Sequence, residues 1–307
     1  GGIGTGNISV GARGELRDWE IFNWPGKGQF VPFSFFAIRT REEGKEPVSR
    51  ILESKICPPY YKSHGFLNGE LAGIPRFESS KMVGKQPFVY IDLEDSKVPV
   101  EVKMEAFTPF IPLNSDDSGI PTAIIRYHVK NPTDRAVEVS VVGTMANVVG
   151  FQGYDVFNNV KLVDEVQNEY RENGEIKGWY YTAKHLKETD MKFGSMSIAS
   201  VGAKNTYKKQ WLHGQWTDNA QDFWDDFTED GVLDDMETIE SKGCDLLSHY
   251  DFSFLNLKER ISSVGSMEMV GPNEEKTFEF VISWYFPNRP KGWIEYDEDL
   301  ERYRDGG

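Results

Sequence analysis

The chain has 307 residues, with 34 Lys and Arg against 49 Asp and Glu and a formal net charge of −15. That length fits one large all-β unit or two domains. The charge balance speaks against nucleic acid, whose binding rests on clustered cations, and no apolar run approaches the ~20 residues that span a bilayer.

Aromatic residues make up 13% of the chain and there are 29 Gly and 15 Pro, a composition of strands and turns rather than of a helical bundle. Period-2 patterning gives strands at residues 35–40 and 88–93 and a clear one from Val100, where Val100, Val102, Met104 and Ala106 share a face opposite Glu101, Lys103 and Glu105. Ile125, Tyr127 and Val129 alternate with Arg126, His128 and Lys130. After the turn-forming Asn131-Pro132-Thr133-Asp134, Val137, Val139 and Val141 alternate with Glu138 and Ser140, which reads as an antiparallel hairpin. Further strands are expected at residues 178–184, 194–201 and 264–270. One more strand follows Gly271-Pro272-Asn273 and places Phe278, Phe280, Ile282 and Trp284 on one face. This pattern predicts a mainly all-β fold, a large antiparallel β-sandwich with short helical insertions, over residues 1–307 as one domain.

One stretch departs from the pattern. Between Thr217 and Glu240 stand Asp218, Asp222, Asp225, Asp226, Glu229, Asp230, Asp234, Asp235, Glu237 and Glu240, with no Lys or Arg. Trp211, Trp216, Phe223, Trp224 and Phe227 are interleaved, and Phe223 and Phe227 are one helical turn apart, so a helical or irregular insertion with an aromatic underside is expected. Asp226, Thr228, Asp230, Gly231 and Glu237 also reproduce the spacing of an EF-hand loop, a weak calcium candidate set against a solvated acidic loop, because Ser241-Lys242-Gly243 interrupts any exit helix. No metal or other cofactor is expected. The opening Gly1-Gly2-Ile3-Gly4-Thr5-Gly6 misses the dinucleotide fingerprint and reads as a tight backbone turn. The five histidines are scattered, and His128 falls on the polar face of a strand. Cys57 and Cys244 lack metal spacing and read as free, mostly buried thiols, which suits a reducing, cytoplasmic location.

Several segments taken together carry a resemblance. They are Gly1 to Gly6, then Gly14-Glu15-Leu16-Arg17-Asp18-Trp19-Glu20-Ile21-Phe22-Asn23, and Phe35-Phe36-Ala37-Ile38-Arg39. Val98-Pro99-Val100-Glu101-Val102 continues the series, running into Glu105-Ala106-Phe107-Thr108-Pro109-Phe110-Ile111-Pro112-Leu113-Asn114 and Asp117-Ser118. Phe223-Trp224, Phe227, Asp230-Gly231, Leu233, Gly271 to Lys276 and Trp284-Tyr285-Phe286-Pro287 complete it. In this order they resemble the non-lysosomal glucosylceramidase (bile-acid β-glucosidase) family, glycoside hydrolase family 116, over nearly the whole chain.

The resemblance implies an N-terminal β-sandwich preceding an (α/α)₆ catalytic domain in a retaining β-glycosidase. Such an enzyme uses a Glu nucleophile and an Asp acid/base about 5–5.5 Å apart. Both carboxylates would belong to the helical domain, which is expected to begin about where the sequence stops at Tyr303-Arg304-Asp305-Gly306-Gly307, so no catalytic residue maps onto this chain. The implied partners are that domain and, through it, a β-glucoside or glucosylceramide-type substrate. A stand-alone carbohydrate-binding module, suggested by the eight tryptophans, and a small enzyme with its own carboxylate pair are the other readings. Candidates for contact with substrate or with the catalytic domain are Arg17, Asp18, Trp19, Glu20, Asn23 and Trp24, which gather guanidinium, carboxylate and aromatic groups beside Gly14, Gly26 and Gly28. The alternative is that Arg17 and Asp18 pair locally and fix the first turn. An apolar docking patch is expected around Trp19, Phe22, Trp24 and residues 211–227.

Overall fold

A computed structural model describes residues 1–23, 25–57, 71, 73–154, 160–202, 204–211, 220–234 and 260–289, the Arg260 side chain excepted. The described strands of the first half are β1 (Asn7–Val10), β2 (Leu16–Glu20), β3 (Phe35–Glu42), β4 (Val48–Ser54), β5 (Arg76–Phe77), β6 (Ser79–Lys85), β7 (Phe88–Glu94), β8 (Glu101–Phe107) and β9 (Thr122–Lys130). Those of the second half are β10 (Val137–Asn147), β11 (Phe151–Tyr154), β12 (Val160–Leu162), β13 (Val166–Asn173), β14 (Ile176–Ala183), β15 (Ser195–Val201), β16 (Asn205–Lys208), β17 (Arg260–Val270) and β18 (Glu275–Tyr285). Two helices accompany them, α1 (Ser115–Ser118) and α2 (Gln221–Asp230). None of the described helices is long and apolar enough to cross a membrane.

An eight-stranded sheet runs β13-β14-β15-β18-β9-β8-β7-β6 and a six-stranded sheet runs β16-β17-β10-β3-β4-β5, with β1-β2 and β11-β12 as separate ribbons. The expected alternation holds. Val102, Met104, Ile125, Tyr127, Val129, Phe278, Phe280 and Ile282 are buried, whereas Glu101 and Lys103 face solvent. The two large sheets meet through these side chains: the Phe36 ring of β3 lies 5.4 Å from Tyr127 of β9 and 4.9 Å from Phe280 of β18. Polar groups join the layers as well. Trp179 Nε1 of β14 donates to the Ser263 carbonyl of β17 at 2.8 Å, and the Tyr181 hydroxyl donates to the Met145 carbonyl of β10 at 3.2 Å.

Two expectations are corrected. The 122–147 segment is no hairpin, since β9 pairs with β8 and β18 whereas β10 pairs with β3 and β17 in the other sheet. Alternation is the same whether two strands pair side by side or face each other across a core, so the pattern could not separate the two. Asn131 makes the crossing, its Nδ2 donating to the Arg135, Val270 and Gly271 carbonyls at 2.7, 2.9 and 3.1 Å. The sheets are also not wholly antiparallel, because the short β5 runs parallel to β4.

The six-stranded sheet is covered on its outer face too, which is why β10 and β3 are buried almost throughout. Helix α2 lies there. Its Phe223 stacks on Trp211 at 4.5 Å and meets Phe35 edge-on at 5.7 Å, and Phe227 is buried beside it. The aromatic underside anticipated for the acidic stretch is therefore present, with Gly231 ending the helix in the left-handed region at φ 85°. Trp24, Trp216, Glu237 and Cys244 lie outside the described residues. Cys57 is exposed rather than buried.

Candidate functional site

The segment holding Arg17 to Asn23 is β2 and the turn after it. Pairing with β1 sets Glu20 opposite Asn7 and Arg17 opposite Ser9, with an irregularity between Asn7 and Ser9. Side chains of β2 then divide between two faces. Trp19 points inward and is fully buried. Asp18 and Glu20 both turn to the loop at residues 26–28. The Gly28 N–H donates to Asp18 Oδ1 at 2.7 Å, the Gly26 N–H to Glu20 Oε1 at 3.1 Å, and Lys27 Nζ to Glu20 Oε2 at 3.0 Å. Gly26 is needed for this approach, because a Cβ there would sit 2.9 Å from the Trp19 carbonyl oxygen.

These contacts set the charge state. The Gly28 N–H, aided by Arg17 and Lys27, holds the Asp18 carboxyl below its usual range, and Lys27 with the Gly26 N–H does the same for Glu20. Both are carboxylates spent on shaping a loop, poorly suited to deliver a proton near neutrality. Arg17 lies 3.6 Å from Asp18 and 4.0 Å from Glu15, the local pairing weighed as the alternative, and its side chain stays 43% exposed. Asn23, at φ 64°, donates from Nδ2 to the Phe286 carbonyl at 3.1 Å and so ties the turn to the chain leaving β18. The structure thus brings Asp18, Glu20 and Asn23 to one end of the sandwich beside Arg17, and withdraws Trp19 into the core.

The calcium spacing does not survive. Asp226, Thr228 and Asp230 lie within α2, where helical geometry spreads side chains that an EF-hand loop would converge. Asp226 is committed elsewhere, its Oδ2 3.1 Å from Lys208 Nζ and its carboxylate also accepting the Asp234 N–H at 3.0 Å. Burial pushes the Asp226 carboxyl up, against the pull of Lys208. No group of three or more His, Cys, Asp or Glu among the described residues is placed to hold a metal.

The expected apolar patch is also displaced. Trp19, Phe22, Trp211, Phe223 and Phe227 are buried, so packing rather than a partner accounts for them. Exposed apolar side chains gather instead on the loop between β8 and β9 and on the N-terminal turn: Ile3, Phe110, Ile111, Leu113 and Ile120. The Ile3 N–H donates to the Ser118 carbonyl at 2.8 Å, and a Cβ on Gly2 would lie 2.5 Å from the Gly119 and Ile120 carbonyl oxygens, so the two segments touch through backbone. Sequence reasoning missed this surface. Its signal was the run Phe110-Ile111-Pro112-Leu113, apolar residues around a proline just past a strand, where a loop leaves them outside. Two buried cations were missed as well. Lys208 holds α2 at Asp226, and Arg39 donates from Nε to the Thr228 carbonyl at 3.1 Å and from Nη2 to the Glu229 carbonyl at 2.9 Å, at the negative end of the helix.

Residues 1–305 match the family described as beta-glucosidase 2, glycosyl-hydrolase family 116 N-term. The chain belongs to that family. As an N-terminal domain of a family 116 glycosyl hydrolase it implies a catalytic domain in the same protein. Solved structures with a loose likeness include a putative kojibiose phosphorylase from the human microbiome, at 8% identity and TM-score 0.36, covering 87% of this chain and 23% of that one. Others are a polysaccharide lyase at 10% identity and TM-score 0.35, covering 92% and 32%, and a family 36 α-galactosidase from Geobacillus stearothermophilus in complex with raffinose, at 11% identity and TM-score 0.33, covering 85% and 31%. The family 116 domain spans about a quarter to a third of those chains, and its assignment rests on the sequence match.

Proposed function

We propose that this chain is the non-catalytic N-terminal domain of a retaining β-glucosidase of the glucosylceramidase type, which packs on an (α/α)₆ catalytic domain and shapes the mouth of its active site. The observation that carries this reading is the family match over residues 1–305. The side chains support it. Retaining hydrolysis needs a nucleophilic carboxylate and a second carboxyl kept protonated by its surroundings, whereas Asp18 and Glu20 are held ionised by a loop, and Asp226, though raised by burial, is tied to Lys208 and the Asp234 N–H. Trp19, Trp179, Trp211 and Trp284, four of the eight tryptophans, are core residues, which weighs against a stand-alone sugar-binding module. In this reading the half-exposed Arg17 and the Gly26–Gly28 loop it adjoins face the catalytic domain or the bound substrate, and a cytoplasmic location goes with the free thiol of Cys57.

The test is deletion within the longer protein. Protein containing both domains is expected to hydrolyse an aryl β-glucoside with retention, read as β-glucose released first by NMR, and to lose that activity when residues 1–289 are removed. Arg17→Ala in the two-domain protein is expected to raise KM or lower kcat with the melting temperature nearly unchanged. Full activity of the catalytic domain without residues 1–289 would sink the proposal that this domain shapes the active site.

A further inference from the structure

The strongest unexplained feature of the surface is Leu113. Its φ is 68°, in the left-handed region where a bulky side chain crowds the backbone, and its relative exposure is 109%. The residue therefore gains nothing from burial and is held in a conformation glycine or asparagine would adopt more readily. Strain of this kind persists where the surroundings impose it and marks sites of function.

The surroundings do impose it. Asn114 caps α1, its Oδ1 accepting the Asp117 N–H at 3.1 Å. The Ser118 hydroxyl accepts the Ile111 N–H at 2.9 Å and donates to the Ile111 carbonyl at 3.0 Å, and Thr108 Oγ1 donates to the Thr122 carbonyl at 3.0 Å. Phe110, Ile111, Leu113 and Ile120 are displayed by a braced loop, with Ile3 beside them on the N-terminal turn.

The path of the chain says what covers this surface. Strand β18 ends at the same end of the sandwich: Trp284 Nε1 donates to the Thr5 carbonyl at 2.7 Å, the Trp284 N–H to the Pro121 carbonyl at 3.1 Å, and Arg289 Nη1 to the Gly4 carbonyl at 3.4 Å. The last described residues of the chain therefore lie next to the turn that carries Ile3, and the family to which the chain belongs is that of an N-terminal domain of a glycosyl hydrolase. Covalent attachment raises the effective concentration of a second domain of the same protein at the surfaces within its reach.

We infer that Leu113, with Ile3, Phe110, Ile111 and Ile120, is the seat on which the catalytic domain of the same chain docks. The inference rests on the proposed two-domain reading and assigns its contact surface. Leu113 acts as the central anchor, a preformed apolar knob whose burial on docking offsets the strain it carries in the uncovered domain.

The experiment uses the two-domain protein in four forms: unaltered, Leu113→Asp, Leu113→Gly and Met269→Asp. Met269 is an exposed residue on β17 opposite Glu138, at the far end of the sandwich from the seat, and serves as the control. Leu113→Gly relieves the positive φ, so a docking defect in that variant is not a failure to fold. The readouts are amide exchange of residues 110–120 and the rate of proteolytic cleavage between the domains. Both Leu113 variants are expected to lose protection at residues 110–120 and to be cleaved about tenfold faster, the loss matching one buried leucine, while Met269→Asp behaves as the unaltered protein. Leu113 variants that match Met269→Asp in both readouts overturn the assignment, as does a seat protected only at concentrations where the protein dimerises, which would give it to a second copy. Hydrolysis of an aryl β-glucoside by the unaltered protein is recorded in parallel. Activity with insensitive Leu113 variants refutes the seat alone, and absence of activity refutes the glucosidase reading while the exchange data still decide the seat.

Discussion

Replacing Lys208 by methionine removes one buried charge and little else. The lysine side chain is wholly buried, with Nζ 3.4 Å from Asp222 Oδ1, 3.1 Å from Asp226 Oδ2 and 2.8 Å from the Asp234 carbonyl. Methionine has nearly the same length and fills the space. Breaking a buried pair by deleting one partner costs about 3–5 kcal/mol, because the remaining charge stays desolvated, which for a chain of this size lowers the melting temperature by roughly 10 °C. The double variant Lys208→Met/Asp226→Leu removes the closer ion pair, leaves Asp222 in place and is expected to recover part of that loss. The pH dependence has a definite sign. Burial raises the Asp226 carboxyl above its unfolded value near 3.9, so its contribution to stability is present below that value and is lost as pH rises through the folded one. Without Lys208 the folded value rises further, and Lys208→Met should therefore regain stability on acidification where the parent gains less. Urea unfolding at pH 7 and pH 5, with amide exchange across α2, measures all three quantities. A single variant costing under about 1 kcal/mol, or a double variant no more stable than the single one, would refute the argument.

Other outcomes follow from the same reasoning. Phe223→Ala opens a cavity between Trp211, Phe35 and Phe227 and is expected to cost about 3–5 kcal/mol by denaturant unfolding. Tyr127→Phe removes a buried hydroxyl that has no hydrogen-bond partner among the described residues and is expected to be neutral or stabilising by up to about 1 kcal/mol, so a clear loss in the same assay would contradict the structure. Asp18 and Glu20 carry lowered carboxyl values, so what they contribute is present above the ordinary carboxylate range and lost as pH falls through the folded values. Exchange protection of the Gly28 and Gly26 amides should accordingly persist through the ordinary carboxylate range and fall only below it, and should already be low above that range in Asp18→Asn/Glu20→Gln.

The strands were legible wherever one face is buried and the other wet. Val100 to Ala106 and Phe278 to Trp284 alternate because a slip of one residue would expose every apolar side chain. Edge strands were not. The side chains of β6 are largely exposed, and nothing in Ser79 to Lys85 separates such a strand from a loop. The partners of β9 and β10 were illegible for a different reason: alternation reports a buried face and is silent on which sheet supplies the other wall. The segment around Arg17 was found as a candidate by its chemistry, and its local pairing with Glu15 and Asp18 was foreseen, but the burial of Trp19 depends on residues far away in sequence. Lys208 and Arg39 could not be picked out, since a single cation in a strand becomes distinctive only when a helix some 20 or 190 positions later is laid over it. The acidic spacing carried only a weak calcium candidate, and helix α2 places those oxygens differently from a loop.

The central claim is that this domain supports catalysis without performing it. Its most direct test is the hydrolysis of an aryl β-glucoside by the purified 307-residue chain, compared with the same assay on protein that also carries the catalytic domain. The expected result is turnover by the longer protein and none above buffer by the chain alone. Turnover by the chain alone, co-purifying with it through successive columns and abolished by substituting one of its own carboxylates, would contradict the claim.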